Sequence, residues 1–225
     1  MNTFEQIYET LYQMYGPQGW WPLITKKNEG LQCVYHPNDF DIPKTQLQIY
    51  EICIGAILTQ NTAWRNVVQA LINLYQIQAL APKTVQTIQI DKLKEAIRPA
   101  GYFNQKAKKI KAFNDFYYQL DNQTPSREQL LSVWGIGPET ADSILLYAYK
   151  QASFVVDVYT RRIFTNLGLI QDNMKYDAIK KMFENHLNAD IEVYQEYHAL
   201  IVQHAKQYYQ KKDNYALDPL LTLNQ

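Results

Sequence analysis

Asp157, in the run Phe154-Val155-Val156-Asp157-Val158-Tyr159, is the residue of this chain whose type and setting best suit chemistry. It precedes a helical run through Arg162, Ile163 and Leu167, where an Asp ordinarily caps the first turn. A carboxylate held there and screened from water can also stabilise positive charge that develops during a reaction. Upstream lies Val133-Trp134-Gly135-Ile136-Gly137-Pro138-Glu139-Thr140-Ala141. Two glycines around one apolar residue make a tight turn whose backbone can approach a ligand with no side chain in between. Pro138 suits a first helical turn, and the orphan amides and positive dipole end there favour an anion such as a DNA phosphate. The plainer reading of Gly135 and Gly137 is an ordinary turn between two helices.

The elements that must position these residues are helical. Thr124-Pro125, or the capping-box spacing from Ser126 to Gln129, starts a helix before the turn. Ala141, Leu145 and Ala148 share one face of the helix after it, a narrow apolar stripe. Helical spacing recurs through Leu47, Tyr50, Ile54, Ile57 and Leu58, and through Val67, Ala70, Leu71 and Leu74. Strand signals are scarce, so an all-α protein is expected, with breaks at Pro82, Pro99-Ala100-Gly101, Thr124-Pro125 and Gly168.

At 225 residues the chain can form one compact domain or two small lobes. It is 47% hydrophobic and 20% charged, as ordinary globular proteins are, and its 22 basic side chains balance 22 acidic ones. Zero net charge argues against a large non-specific grip on nucleic acid. Arg98, Lys106, Lys108, Lys109 and Lys111 nevertheless cluster around Gly101-Tyr102-Phe103, either as a solvated helix face or as phosphate contacts. Cys33 and Cys53 are the only cysteines and nothing resembles a signal peptide, which leads us to expect a reduced, cytoplasmic protein. No apolar run is long enough to span a bilayer, so no membrane role is expected.

The Gly-Ile-Gly turn, its helix and the Val-Asp that follows together resemble the helix-hairpin-helix and Gly/Pro-Asp (HhH-GPD) signature of the endonuclease III superfamily of DNA glycosylases. Ile57-Leu58-Thr59-Gln60-Asn61-Thr62 resembles that family's Leu-x-x-Gln-x-Thr stretch, and Gly101-Tyr102-Phe103-Asn104-Gln105-Lys106-Ala107 its Gly-aromatic-x-Asn-x-Lys-Ala segment. The resemblance implies a two-lobed helical fold with the active-site cleft between the lobes. Residues 45–160 would form the central lobe, and residues 1–44 and 161–225 the other. It implies that Asp157 stabilises the sugar as a base departs. Gln60 would enter the gap left by a flipped nucleotide and Tyr102 would wedge against the opposite strand. Lys106, Gly135, Ile136, Gly137, Glu139 and Thr140 would complete the DNA contacts. The expected partner is double-stranded DNA containing a damaged base, bound by a monomer.

Departures from the family pattern sharpen the expectation. Bifunctional members carry, where Glu139 stands here, the lysine that forms a Schiff base and cuts the strand. Glu139 therefore implies a monofunctional glycosylase, though an acid near a helix N-terminus is favourable in its own right. Many relatives hold an iron-sulfur cluster on four late cysteines, whereas none follows Cys53, so no cluster is expected. His198 and His204 read as structural rather than metal ligands. A monovalent cation on the hairpin carbonyls near residues 133–137 is allowed by the resemblance.

Gly19-Trp20-Trp21-Pro22, Trp64 and the missing cysteines resemble the 3-methyladenine DNA glycosylase III branch. By that resemblance Trp20, Trp21, Pro22, Trp64 and Lys206 line the base pocket, since electron-rich indoles suit a cationic alkylated purine flipped from the stack. Tryptophans are also ordinary core material. Leu200 departs from the branch, which has a lysine there. Two other functions fit less closely: a glycosylase for oxidised or mismatched bases, and a helix-hairpin-helix module that binds DNA without catalysis.

Overall fold

The computed structural model describes residues 2–224. In chain order its elements are α1 (Thr3–Tyr15), β1 (Leu23–Lys27), β2 (Gly30–Val34), α2 (Gln46–Thr59), α3 (Trp64–Gln76), α4 (Pro82–Thr87) and α5 (Ile90–Ala96). There follow α6 (Phe103–Gln119), α7 (Arg127–Ser132), α8 (Pro138–Ser143), α9 (Val158–Asn166), α10 (Tyr176–His186) and α11 (Ile191–Tyr208). A π-helical segment, Ile144–Ala148, continues α8, and 3-10 turns occupy Arg98–Ala100, Lys212–Leu217 and Pro219–Asn224. Two compact units result: unit 1 comprises Met1–Trp20, His36–Phe40 and Lys150–Gln225, and unit 2 comprises Trp21–Tyr35 and Asp41–Tyr149.

Unit 2 is built on α2, in which every residue from Tyr50 to Leu58 is buried. A helix apolar on all sides must be surrounded, and α3, α6, β1 and the π segment pack on it. Leu47, expected in its apolar stripe, is instead 57% exposed, because it lies in the first turn before the enclosed part begins. Val67, Ala70, Leu71 and Leu74 of α3 are buried at the expected spacing.

Unit 2 adds a short hairpin to the helical reading and corrects one apolar stripe. The chain is mostly helical, as expected, but β1 and β2 pair antiparallel in register Leu23↔Val34 to Lys27↔Gly30. Their turn, Asn28-Glu29, ends at Gly30 with φ 116°. Five-residue strands are too short to show a period, and they are stabilised by packing on α3 rather than by their own pattern. The stripe of Ala141, Leu145 and Ala148 is likewise not narrow: every residue from Thr140 to Ala148 is buried. The Tyr149 amide bonds the Ile144 carbonyl at 3.2 Å, so the helix shifts phase there.

Unit 1 has an aromatic core. A capping box between Asn2 and Glu5 opens α1, which buries Phe4, Ile7 and Leu11. Phe4 stacks on Phe164 with centroids 5.5 Å apart and meets Phe183 edge-on at 4.9 Å. At the end of α11 the buried Asp218 acts as a clasp. Its carboxylate lies 2.9 Å from His204 Nε2, and accepts from Tyr209 Oη and from the Leu220 amide. The opposite ring nitrogen, His204 Nδ1, is 2.9 Å from the Tyr15 hydroxyl of α1. Among the described residues no helix is long and apolar enough to cross a membrane.

Candidate active site

Asp157 follows the buried residues Phe154, Val155 and Val156 and is itself the N-cap of α9, in extended conformation. Its Oδ1 accepts from the Thr160 amide at 2.7 Å and from the Thr160 hydroxyl at 2.8 Å. Its Oδ2 is 3.8 Å from His198 Nε2 on α11. The residue is 8% exposed. Burial pushes its carboxyl upward, but His198 and the two Thr160 bonds outweigh burial and hold it below the usual carboxylate range. The result is an ionised carboxylate in a setting largely screened from water.

Trp20 belongs to the same unit, half-buried, with its ring perpendicular to His198 at a centroid distance of 5.6 Å. Its backbone approach is fixed by the buried Glu196, whose carboxylate accepts from the Gln18 and Gly19 amides at 2.7 and 2.9 Å. Gly19 is required there: its φ is 66°, and a Cβ would come within 2.1 Å of the Pro37 nitrogen. Lys206 is exposed in the last turn of α11, while Leu200 is wholly buried. Sequence reasoning missed Glu196 and took His198 for a structural residue only. The available signal was an acid and a histidine two apart inside an otherwise apolar helical run.

In unit 2 the indole of Trp21 is buried and edge-packed, 5.4 Å from Trp64 and 5.2 Å from Tyr147. It lies so close to α2 that a Cβ on Gly55 would be 3.0 Å from its Nε1. Trp21 and the buried Pro22, expected to line a base pocket, are packed within their unit. Trp64 is half-buried beside them.

The hairpin has the expected helix-turn-helix order. Ser126 and Gln129 form the capping box of α7, and Pro138 is in the first turn of α8. Gly135 needs to be glycine because its φ is 87°, and a Cβ there would also have to displace the Lys109 side chain, with Cγ 2.5 Å away. A Cβ at Gly137 meets nothing within 4 Å, so the backbone there is open to a ligand. Ile136 has its side chain buried and its amide bonded to Val133 O at 3.0 Å. Glu139 is exposed in the first turn of α8.

Three residues expected to contact DNA have their side chains bonded within the protein. Lys106 is 2% exposed, and its ammonium donates to Leu58 O, Thr62 Oγ1 and Ala100 O at 2.7, 2.5 and 2.9 Å. Burial, with Lys109 nearby, lowers its pKa to about 8. It ties the end of α2 to the turn before α6 and cannot reach a phosphate. Thr140 is buried, with its hydroxyl accepting from Gln60 Nε2 at 3.0 Å. Gln60 is bonded also to Gly135 O at 3.1 Å and to Lys109 Nζ at 2.5 Å, so its amide braces the hairpin. The exposed residue beside it is Asn61, at φ 51°. Tyr102, by contrast, is 74% exposed, and its φ of 44° holds it in a left-handed conformation ahead of α6.

This hairpin and the capped aspartate define a recognisable class. Residues 54–189 match the model of the HhH-GPD superfamily base excision DNA repair proteins, and the chain belongs to that superfamily. It is 43% identical over 225 aligned positions, 94% of this chain and 92% of the relative, to a provisionally named DNA repair glycosylase of Methanocaldococcus jannaschii. Among solved structures, the 3-methyladenine DNA glycosylase MagIII of H. pylori, bound to 1,N6-ethenoadenine, is 27% identical with a TM-score of 0.71. That match covers 94% of this chain and 100% of MagIII. An endonuclease III bound non-covalently to DNA shares the fold at TM-score 0.76 and 18% identity, covering 99% and 95% of the two chains.

Proposed function

We propose that this protein is a monofunctional DNA glycosylase that flips alkylated purines such as 3-methyladenine from double-stranded DNA and removes them by hydrolysis. The observation that carries the reading is the grouping within one unit of the ionised Asp157 with the half-buried Trp20, both against His198. An N3-alkylated adenine is cationic and already a good leaving group, so it needs orientation and stabilisation of the sugar more than a general acid. Asp157 supplies the negative charge to the oxocarbenium-like sugar as the base departs. An indole face supplies cation-π attraction to the base. Glu139, where a Schiff-base lysine would stand, supports hydrolysis without strand cleavage. Tyr102 is exposed as a wedge must be, whereas Gln60 could act as one only by giving up its bonds to the hairpin.

The sequence has no cysteine beyond Cys53, so a four-thiolate cluster has no ligand set. Backbone carbonyls of the hairpin are hard donors of the kind a monovalent cation takes, although those of Val133 and Gly135 already accept from the Ile136 amide and Gln60 Nε2; a cation there would supply positive charge toward a phosphate. No chemical step depends on it.

The test is release of 3-methyladenine from methylated duplex DNA by wild type and Asp157→Asn, with strand cleavage scored before and after alkali. Wild type should release base and leave an alkali-labile, uncut strand, and the variant should lose about 10²- to 10³-fold in rate. Release of oxidised pyrimidines or mismatched bases instead would move the substrate class. Binding with no release of any base would reduce the chain to a DNA-binding module.

A further inference from the structure

We propose that His198 is a positioning residue that fixes the Trp20 indole and the Asp157 carboxylate relative to one another, so that base stacking and stabilisation of the sugar share one support. The inference rests on the roles given above to Asp157 and Trp20. Oδ1 of Asp157 is committed to the cap of α9, which leaves Oδ2 as the oxygen available to a sugar, and that oxygen is the one 3.8 Å from His198 Nε2. The same imidazole stands perpendicular to Trp20, a contact that uses an edge of one ring. Glu196, one half-turn earlier on α11, holds the backbone that leads into Trp20. One buried helix thus sets both partners. Among the described residues the titratable group acting on Asp157 is His198, with neutral Thr160 contributing hydrogen bonds from α9.

Two substitutions in the full chain separate the two contacts. His198→Phe keeps a ring beside Trp20 and removes the nitrogen; His198→Gln keeps a polar donor and removes the ring. Titration of the Asp157 carboxyl by carbon NMR, with kinetics on methylated DNA, reads the outcome. In His198→Phe the carboxyl should titrate at higher pH than in wild type, and kcat should fall about tenfold, equivalent to about 1.4 kcal/mol, with KM nearly unchanged. In His198→Gln, which keeps a donor but not the charge, the carboxyl should titrate between wild type and His198→Phe, while KM rises several-fold. An Asp157 titration identical in wild type and His198→Phe, or variants that change thermal stability alone, would overturn the proposal. A wild type whose Asp157 responds to His198 but which releases no lesion base would sink the glycosylase reading and leave the coupling standing.

Discussion

Glu139 is exposed one residue after the proline that opens α8, in a turn where the backbone at Gly137 is open. Its replacement by lysine puts an amine at the position that lyase relatives use. Glu139→Lys should therefore gain a covalent complex with DNA that borohydride traps, and strand cleavage without alkali, both of which a monofunctional wild type would lack. A variant that cleaves no strand and traps no complex would mean that the opening at this turn does not admit the sugar. The residue scale also marks where sequence stops being legible. The caps at Asp157 and Ser126 could be read because capping is a local exchange between a side chain and amides three residues on. Lys106, Thr140 and Gln60 could not, since their burial and their bonds join residues dozens of positions apart.

Among the elements, the β1-β2 hairpin is fastened to α2 by one buried acid. Glu51 accepts from the Ile24 amide at 2.6 Å, and burial, only partly offset by that bond, pushes its carboxyl up to about 7 from an ordinary 4.5. A pKa raised in the folded state means that the folded protein holds the proton more tightly. Its contribution is complete below about pH 4.5 and is lost as pH rises through about 7. Glu51→Gln keeps an acceptor for Ile24 and has nothing to ionise. Chemical denaturation at pH 5 and pH 8 should show wild type losing up to ~3 kcal/mol more than the variant across that interval. Equal losses would mean that Glu51 ionises in the fold at little cost. The helices themselves were legible from spacing, and α3 buries the residues that its period picked out. The hairpin was not, because neither five-residue strand carries a period and both depend on helices that follow them in sequence.

For the whole molecule the balance of 22 basic and 22 acidic groups bears on how DNA is held. Of the cations clustered near Gly101, Lys106 and Lys111 are spent on protein carbonyls, Lys109 on Gln60, and Arg98 lies over the Phe103 ring. Few remain for phosphates. The logarithm of DNA affinity should fall with the logarithm of salt concentration with a slope shallower than about −4, equivalent to about four phosphates. A steeper slope in a salt titration would point to cationic contacts beyond this cluster.

The bond between Tyr15 and His204 spans 189 positions of the chain. The apolar face of α1 emerges from the ribosome before unit 2, and its packing partner α11 after it. At ~5–20 residues per second, Phe4, Ile7 and Leu11 wait roughly 10–40 s for that partner. The segments of unit 2 all lie between Trp21 and Tyr149 and are complete well before then. Unit 2 can thus be finished while α1 is still an orphaned amphipathic helix, the interval in which a holding chaperone would find something to hold.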